Sequence, residues 1–86
     1  MKTEMKMFAI YDRIAEESSA PFLARTEGVA VRIYLDAIKS QAPSAIQDYW
    51  LYSLGVYDTE TMELTPKEKA SRVKPSEGLE MEAVNE

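Results

Sequence analysis

The chain predicts a small α+β domain: an antiparallel sheet of three to four strands with one packed helix, in the order β-β-α-β-β, followed by a flexible, charged C-terminal tail. Three observations lead there. Residues 6–12 and 48–57 are short apolar and aromatic stretches bounded by polar turn residues, the pattern of buried strands. Residues 26–39 contain no Pro and a single Gly near their start, and they begin with a capping signal, which makes them the one helix. Beyond Pro66 charge dominates and no aromatic residue occurs. The expected organisation is therefore a compact domain over residues 1–66 and a tail over 67–86.

Each element has its own local warrant. The first strand closes at Tyr11-Asp12, and residues 14–20 read as a loop. Pro21-Phe22-Leu23-Ala24 reads as a short second strand, with Pro at the start of an edge position where its missing N–H does no harm. Thr26 is a good N-cap, and Glu27 follows where the helix dipole favours a negative charge. Wound at about 100° per residue, the helix spreads apolar groups, Ile33 and Tyr34 among them, over roughly 200°, about twice what one sheet covers. That surplus calls for a folded-back tail or a second copy of the chain. Pro43 ends the helix and the chain returns through Asp48 into the strongest strand, which carries apolar groups on both faces and so needs cover on both. Asp58-Thr59-Glu60-Thr61 is a turn by composition, and Met62-Glu63-Leu64-Thr65 is the answering hairpin strand, ended by Pro66. The preferred sheet places the 48–57 strand centrally, beside the first.

Composition narrows the chemistry. With 86 residues there is room for one domain and a small core, so the lone monomer is expected to be marginal and to self-associate. The absence of Cys and His removes disulfides, thiolate nucleophiles, the commonest general base and the commonest metal ligand. An enzyme is not expected, and no residue set qualifies as catalytic, cofactor-binding or metal-ligating. No apolar run reaches signal-peptide or membrane-spanning length, so a cytoplasmic protein is expected. The net charge of −5 disfavours binding nucleic acid chiefly through phosphates. One local exception exists: Lys67, Lys69, Arg72 and Lys74 against Glu68 give +3, although Glu77, Glu80, Glu82 and Glu86 follow with −4.

Several groups invite a functional reading and must be weighed against a plainer one. Asp12, Asp36, Asp48 and Asp58 are hard-cation ligands by type, but three of them flank strands, where Asp commonly hydrogen-bonds turn backbone. Tyr49, Trp50, Tyr52 and Tyr57 could stack single-stranded bases. Such platforms usually interleave cations, the strand has none, and core or interface is the favoured reading. Ile33, Tyr34, Trp50, Tyr52 and Val56 are the candidates for self-association or partner docking, Trp50 and Val56 as anchors. Lys67, Lys69, Arg72 and Lys74 are the candidate DNA contacts, with a solvated tail as the plainer alternative. Thr26-Glu27-Gly28 lacks a phosphate-loop pattern, and Glu27 would repel an anion, so capping is the better account.

The spacing Tyr11-Asp12, Pro21-Phe22, Thr26-x-Gly28-x-Ala30-x-Arg32, Asp36-Ala37 and Asp48-Tyr49-x-Leu51-Tyr52-x-Leu54-Gly55-x-Tyr57-Asp58 resembles the small nonstructural protein of gokushovirus-type microviruses, which are single-stranded DNA bacteriophages. The similarity covers residues 8–64. Three departures stand out: Ile14 replaces a usual Lys, Thr61-Met62 replaces a Thr-Gly in the final hairpin, and Trp50 and Val56 stand where polar residues are common. The resemblance implies a nonstructural protein in the cytoplasm of the infected bacterial host. By analogy with the microvirus packaging-switch protein, it would divert synthesis from replicative-form DNA to packaged single-stranded genomes, through contact with the replication complex, the procapsid or viral DNA. Direct nonspecific binding of single-stranded DNA, and a structural or scaffolding role in the particle, are the alternatives. No cofactor and no membrane partner are implied, and a homo-oligomer is expected.

Overall fold

In the computed structural model, which describes residues 3–41 and 47–74, one antiparallel sheet carries one helix. The elements are β1 (Glu4–Asp12), β2 (Glu17–Ser18), β3 (Phe22–Ala24), α1 (Glu27–Gln41), β4 (Tyr49–Asp58) and β5 (Leu64–Val73). Strands run in the order β2-β1-β4-β5, and β3 also pairs with β1, continuing along the edge that β2 begins. The predicted class and central β1–β4 pair are therefore present, and the element order matches apart from the added β2.

The helix forms where its caps dictate. Thr26 Oγ1 accepts the Val29 N–H at 3.2 Å, satisfying one of the donors that every helix start leaves free. Ala30, Val31, Tyr34 and Ile38 are buried against Phe8, Ala24, Leu51 and Val73 from the sheet. The ring of Phe22 stacks on Phe8 at 5.9 Å and extends that layer. The Tyr34 hydroxyl donates to the Tyr49 carbonyl, tying the helix to the start of β4. Burial raises the pKa of that hydroxyl above its ordinary 10.0, with the charge of Arg72 opposing. Val29 and Ile33 remain 40 % exposed on the outer helix surface.

Two expectations are corrected. The loop over 14–20 contains β2, because the Asp12 carboxylate accepts from Ile14 and Ala15 N–H at 3.0 and 3.1 Å and folds the chain back on itself. Glu16 completes this turn with φ 59°, a left-handed conformation for which composition offers no Gly cue. The second correction concerns Pro66, which does not end the last strand. β5 runs through it to Val73, so 67–73 belong to the sheet and not to the tail; residues 75–86 of the expected tail lie outside the described ones. Pro is tolerated here because β5 is an edge strand and Pro66 sits where the ladder is already irregular. Pairing shifts from Gly55↔Pro66 to Ser53↔Ser71, so residues 67–70 bulge out opposite Leu54. The chain returns because Val73, 6 % exposed, is needed in the core beside its partner Leu51.

Gly55 permits that crossing. A Cβ there would lie 2.5 Å from the Thr65 carbonyl oxygen and 2.8 Å from the Pro66 Cα, closer than packed atoms allow. Leu54 is also the odd residue against β1, where pairing steps from Met7↔Gly55 to Phe8↔Ser53. One bulge thus resets the faces of β4, as an inserted residue must.

The β4–β5 hairpin forms without glycine. Asp58 accepts the Glu60 and Thr61 N–H groups at 2.8 and 3.3 Å, and the Glu60 contact, followed by one from Thr3, holds its carboxyl below the ordinary 3.8. Met62 takes φ 64°, a conformation that costs a side-chain-bearing residue roughly 1–2 kcal/mol. Since Met62 is 74 % exposed, little packing offsets that cost. Met62→Gly is expected to raise unfolding free energy by about 0.5–1 kcal/mol, the strain relieved less the extra chain entropy of Gly. Urea denaturation monitored at Trp50 measures this, and a destabilised variant would contradict the account of the turn.

Candidate nucleic-acid interface

Directly paired residues share a sheet face, so the register sorts the molecule into two surfaces. Phe8, Ile10, Leu51 and Val73 face the helix. The opposite, open face takes Met5, Met7, Ala9 and Tyr11 from β1, and Trp50, Tyr52 and Tyr57 from β4. Its flanks are Ser18 and Leu23 on one side, and Leu64 and Arg72 on the other. Among these paired positions there is no carboxylate. Of the acidic residues of the same strands, Glu4, Asp12, Glu17 and Asp58 fall in register with the helix side or the sheet ends, and Glu68 lies in the 67–70 bulge of β5, which has no partner in the ladder.

At one end of this face four side chains converge. Tyr11 lies directly opposite Trp50, and Tyr52 directly opposite Arg72. The Tyr11 and Tyr52 rings meet edge to face at 6.3 Å and 89°. The Arg72 guanidinium carbon sits 4.4 Å from the centre of the Trp50 ring, within the range of a cation–π contact. The Trp50 Nε1–H donates to the Gln47 carbonyl at 3.2 Å, fixing the indole. Nearby, the Arg13 N–H donates to the Asp48 carbonyl at 3.0 Å and its guanidinium approaches the Asp48 carboxylate at 3.3 Å, which locks the approach to β4. Aromatic faces plus a planar cation can stack bases and neutralise phosphate at once.

The other end of the open face is different in kind. Met7, Pro21, Leu23, Tyr57 and Leu64 line a shallow apolar depression of about 260 Å³. Its chemistry suits an apolar side chain and not an anion.

The expected interface residues do not form one surface. Trp50 and Tyr52 share the open face; Val56 pairs with Lys6 and Thr65 on the helix side, because the bulge at Leu54 breaks the alternation that would have aligned it with Trp50. Ile33 lies on the outer helix. Tyr34 is corrected outright: at 2 % exposed it is a core residue. Of the expected DNA contacts, only Arg72 meets the aromatics. Lys67 and Lys69 project from the bulge, with the Lys67 ammonium donating to Ser71 Oγ, and Lys74 is exposed just past β5. In the sequence Tyr11 marks the close of the first strand and belongs to the family spacing, but its place opposite Trp50 is set by register, which needs the structure. Among the described residues no group of three or more acidic side chains comes together as a cation site would require, and no helix is long and apolar enough to cross a membrane.

The cation–π contact has a measurable energy. A double-mutant cycle with Trp50→Leu and Arg72→Gln is expected to give a coupling of about 0.5–1 kcal/mol in unfolding free energy; additive effects would mean the two groups do not interact in solution.

Comparison with known proteins bears on the whole of this surface. No curated protein and no solved structure gives a significant match. Residues 5–79 match the family model described as phage ORF5 protein, a span that includes the helix, the bulge and all four side chains of the aromatic cluster. The chain therefore belongs to the phage ORF5 protein family.

Proposed function

We propose that this phage protein is a nonstructural, single-stranded-DNA-binding regulator of the gokushovirus-type microvirus kind. It acts in the host cytoplasm in the switch from replicative-form synthesis to synthesis and packaging of single-stranded genomes. The observation that carries the DNA-binding part is Arg72 seated over Trp50, beside Tyr11 and Tyr52, on a sheet face whose paired positions hold no carboxylate. The cation missing from β4 is supplied by the neighbouring strand. Stacking on such platforms contributes about 1–3 kcal/mol per base and tolerates any sequence, which suits binding of single strands without sequence preference. Single strands are favoured over duplex because only unpaired bases expose their faces to a sheet. The switch itself is supported by the microvirus resemblance of the sequence.

A second reading, docking of a replication or procapsid protein, is favoured by the apolar depression at Met7, Leu23, Tyr57 and Leu64. The two are separable. Titrating the full chain with labelled oligo(dT) should quench Trp50 and give saturable anisotropy. With two to four cations engaged, affinity should drop about 7- to 50-fold between 50 and 200 mM salt. Trp50→Ala and Arg72→Gln should each weaken binding at least 10-fold. Saturable binding that ignores both substitutions would move DNA off this face. Absence of binding at micromolar protein would leave protein docking as the function of the fold, and recovery of the chain in purified virions would support a structural role.

A further inference from the structure

We propose that a second site, on the helix side of the sheet, binds the phosphate monoester of a nucleotide. The inference is independent of the DNA-binding reading of the open face.

The site is a cavity of about 300 Å³, at the lower end of the size range of small-molecule pockets. It lies where four elements meet: Lys6 comes from β1, Glu27 from the first turn of α1, Ser53 and Gly55 from β4, and Thr65 and Lys67 from β5.

Ser53 is the residue that points to a ligand. It pairs with Phe8, which puts its side chain on the helix side, and it is only 8 % exposed. A hydroxyl so deeply placed ordinarily has a partner. Among the described residues none is bonded to it, and no fully enclosed side-chain oxygen or nitrogen goes unpaired there. The Ser53 hydroxyl therefore opens onto the cavity that Ser53 lines.

Cations flank that hydroxyl. The Lys67 ammonium donates to Ser71 Oγ, and Ser71 stands directly opposite Ser53, with about 5 Å between the two Cβ atoms. Lys6, two residues from Phe8 on the same face, supplies the second cation. Among the described residues neither lysine is in an ion pair. The helix start adds donors: Thr26 accepts the Val29 N–H through its hydroxyl and the Ala30 N–H through its carbonyl, which leaves the Glu27 and Gly28 N–H groups at the positive end of the dipole. Glu27, which alone would repel an anion, is outweighed by the two cations, and the lining carries +2 − 1 = +1.

These groups select by chemistry. A phosphate monoester carries close to two negative charges at neutral pH, which two ammoniums and a hydroxyl donor match better than they match the single charge of a diester. Glu27 is an acceptor, and a nucleotide offers it a sugar hydroxyl or a base N–H. Val56 and Pro66 complete the lining with apolar surface for sugar or base. The ligand is a mononucleotide, free or as the phosphorylated end of a single strand.

The test follows the amide shifts of Ser53, Gly55 and Lys67 in the full chain by NMR during titration with dTMP. A Kd of about 0.1–1 mM is expected, with thymidine leaving these amides unmoved. Ser53→Ala, Lys6→Gln and Lys67→Gln should each weaken dTMP binding about 5- to 10-fold. Lys69→Gln, in the same bulge but outside the cavity, should leave it unchanged. Folding is not at stake, since both lysines are exposed and Ser53→Ala removes only an unpaired hydroxyl. Oligo(dT) with a 5′-phosphate and with a 5′-hydroxyl separates the two sources. Shifts from the phosphorylated oligomer alone assign a strand end, and shifts from dTMP with neither oligomer assign the free nucleotide. Silence of these amides at about 10 mM dTMP, equal shifts from thymidine, equal shifts from both oligomers, or an equal loss in Lys69→Gln would overturn the site. Movement of the Trp50 indole bears on the open face alone, so either reading can fail without the other.

Discussion

Pairing of Ile10 with Leu51, and of Tyr11 with Trp50 one step away, divides the two central strands into an inner and an outer surface, because successive side chains of an extended chain point opposite ways. Everything else in the molecule follows that division. The inner residues Phe8, Leu51 and Val73 meet Ala30, Val31, Tyr34 and Ile38 from the helix and form the core. The outer residues have no element of the described structure over them. A slip of one residue would send Trp50 and Tyr52 into the core and Leu51 to solvent, which the small core could not survive. The Leu54 bulge is the one place where the division is reset, and Gly55 is the residue whose missing side chain lets β5 cross there.

The parts of the fold legible in the sequence are those governed by local rules. Apolar runs gave β1 and β4, and the Thr26 cap gave the helix start, because burial and capping act on neighbouring residues. β5 was legible only as far as Pro66. An edge strand turns one margin to water, so Lys67, Glu68, Lys69 and Arg72 look the same in it as in a tail, and Val73 alone hints at the return. β2 was hidden because its turn is closed by a carboxylate and a strained Glu16 in place of glycine. The helical arc explains Tyr34: apolar residues over 200° do not say which of them face the sheet.

The candidate site shows the same limit more sharply. Trp50 and Tyr52 were conspicuous as aromatics and Arg72 as a cation, yet they were assigned to separate roles. Their meeting depends on a register shift of three residues between β4 and β5, a tertiary fact with no local signature. Net charge is a related case, because it averages over the whole surface. Nucleic acid responds to the potential at the surface it touches, and the register keeps carboxylates off the paired positions of the open face even though the chain as a whole is acidic. Belonging to the phage ORF5 protein family agrees with a role in a phage life cycle. The geometry of one sheet face supports the chemical part of that role.

Under the proposed function the two sheet faces have separate work, the inner one folding and the outer one binding. Backbone and indole amide shifts of the full chain, followed by NMR during titration with oligo(dT), test it residue by residue. The account predicts movement of the Trp50 indole N–H and of the amides around Tyr11, Tyr52 and Arg72, with Val31, Tyr34 and Ile38 unmoved. Shifts confined to the outer helix near Val29 and Ile33, or to the 67–70 bulge with the Trp50 indole silent, would contradict it.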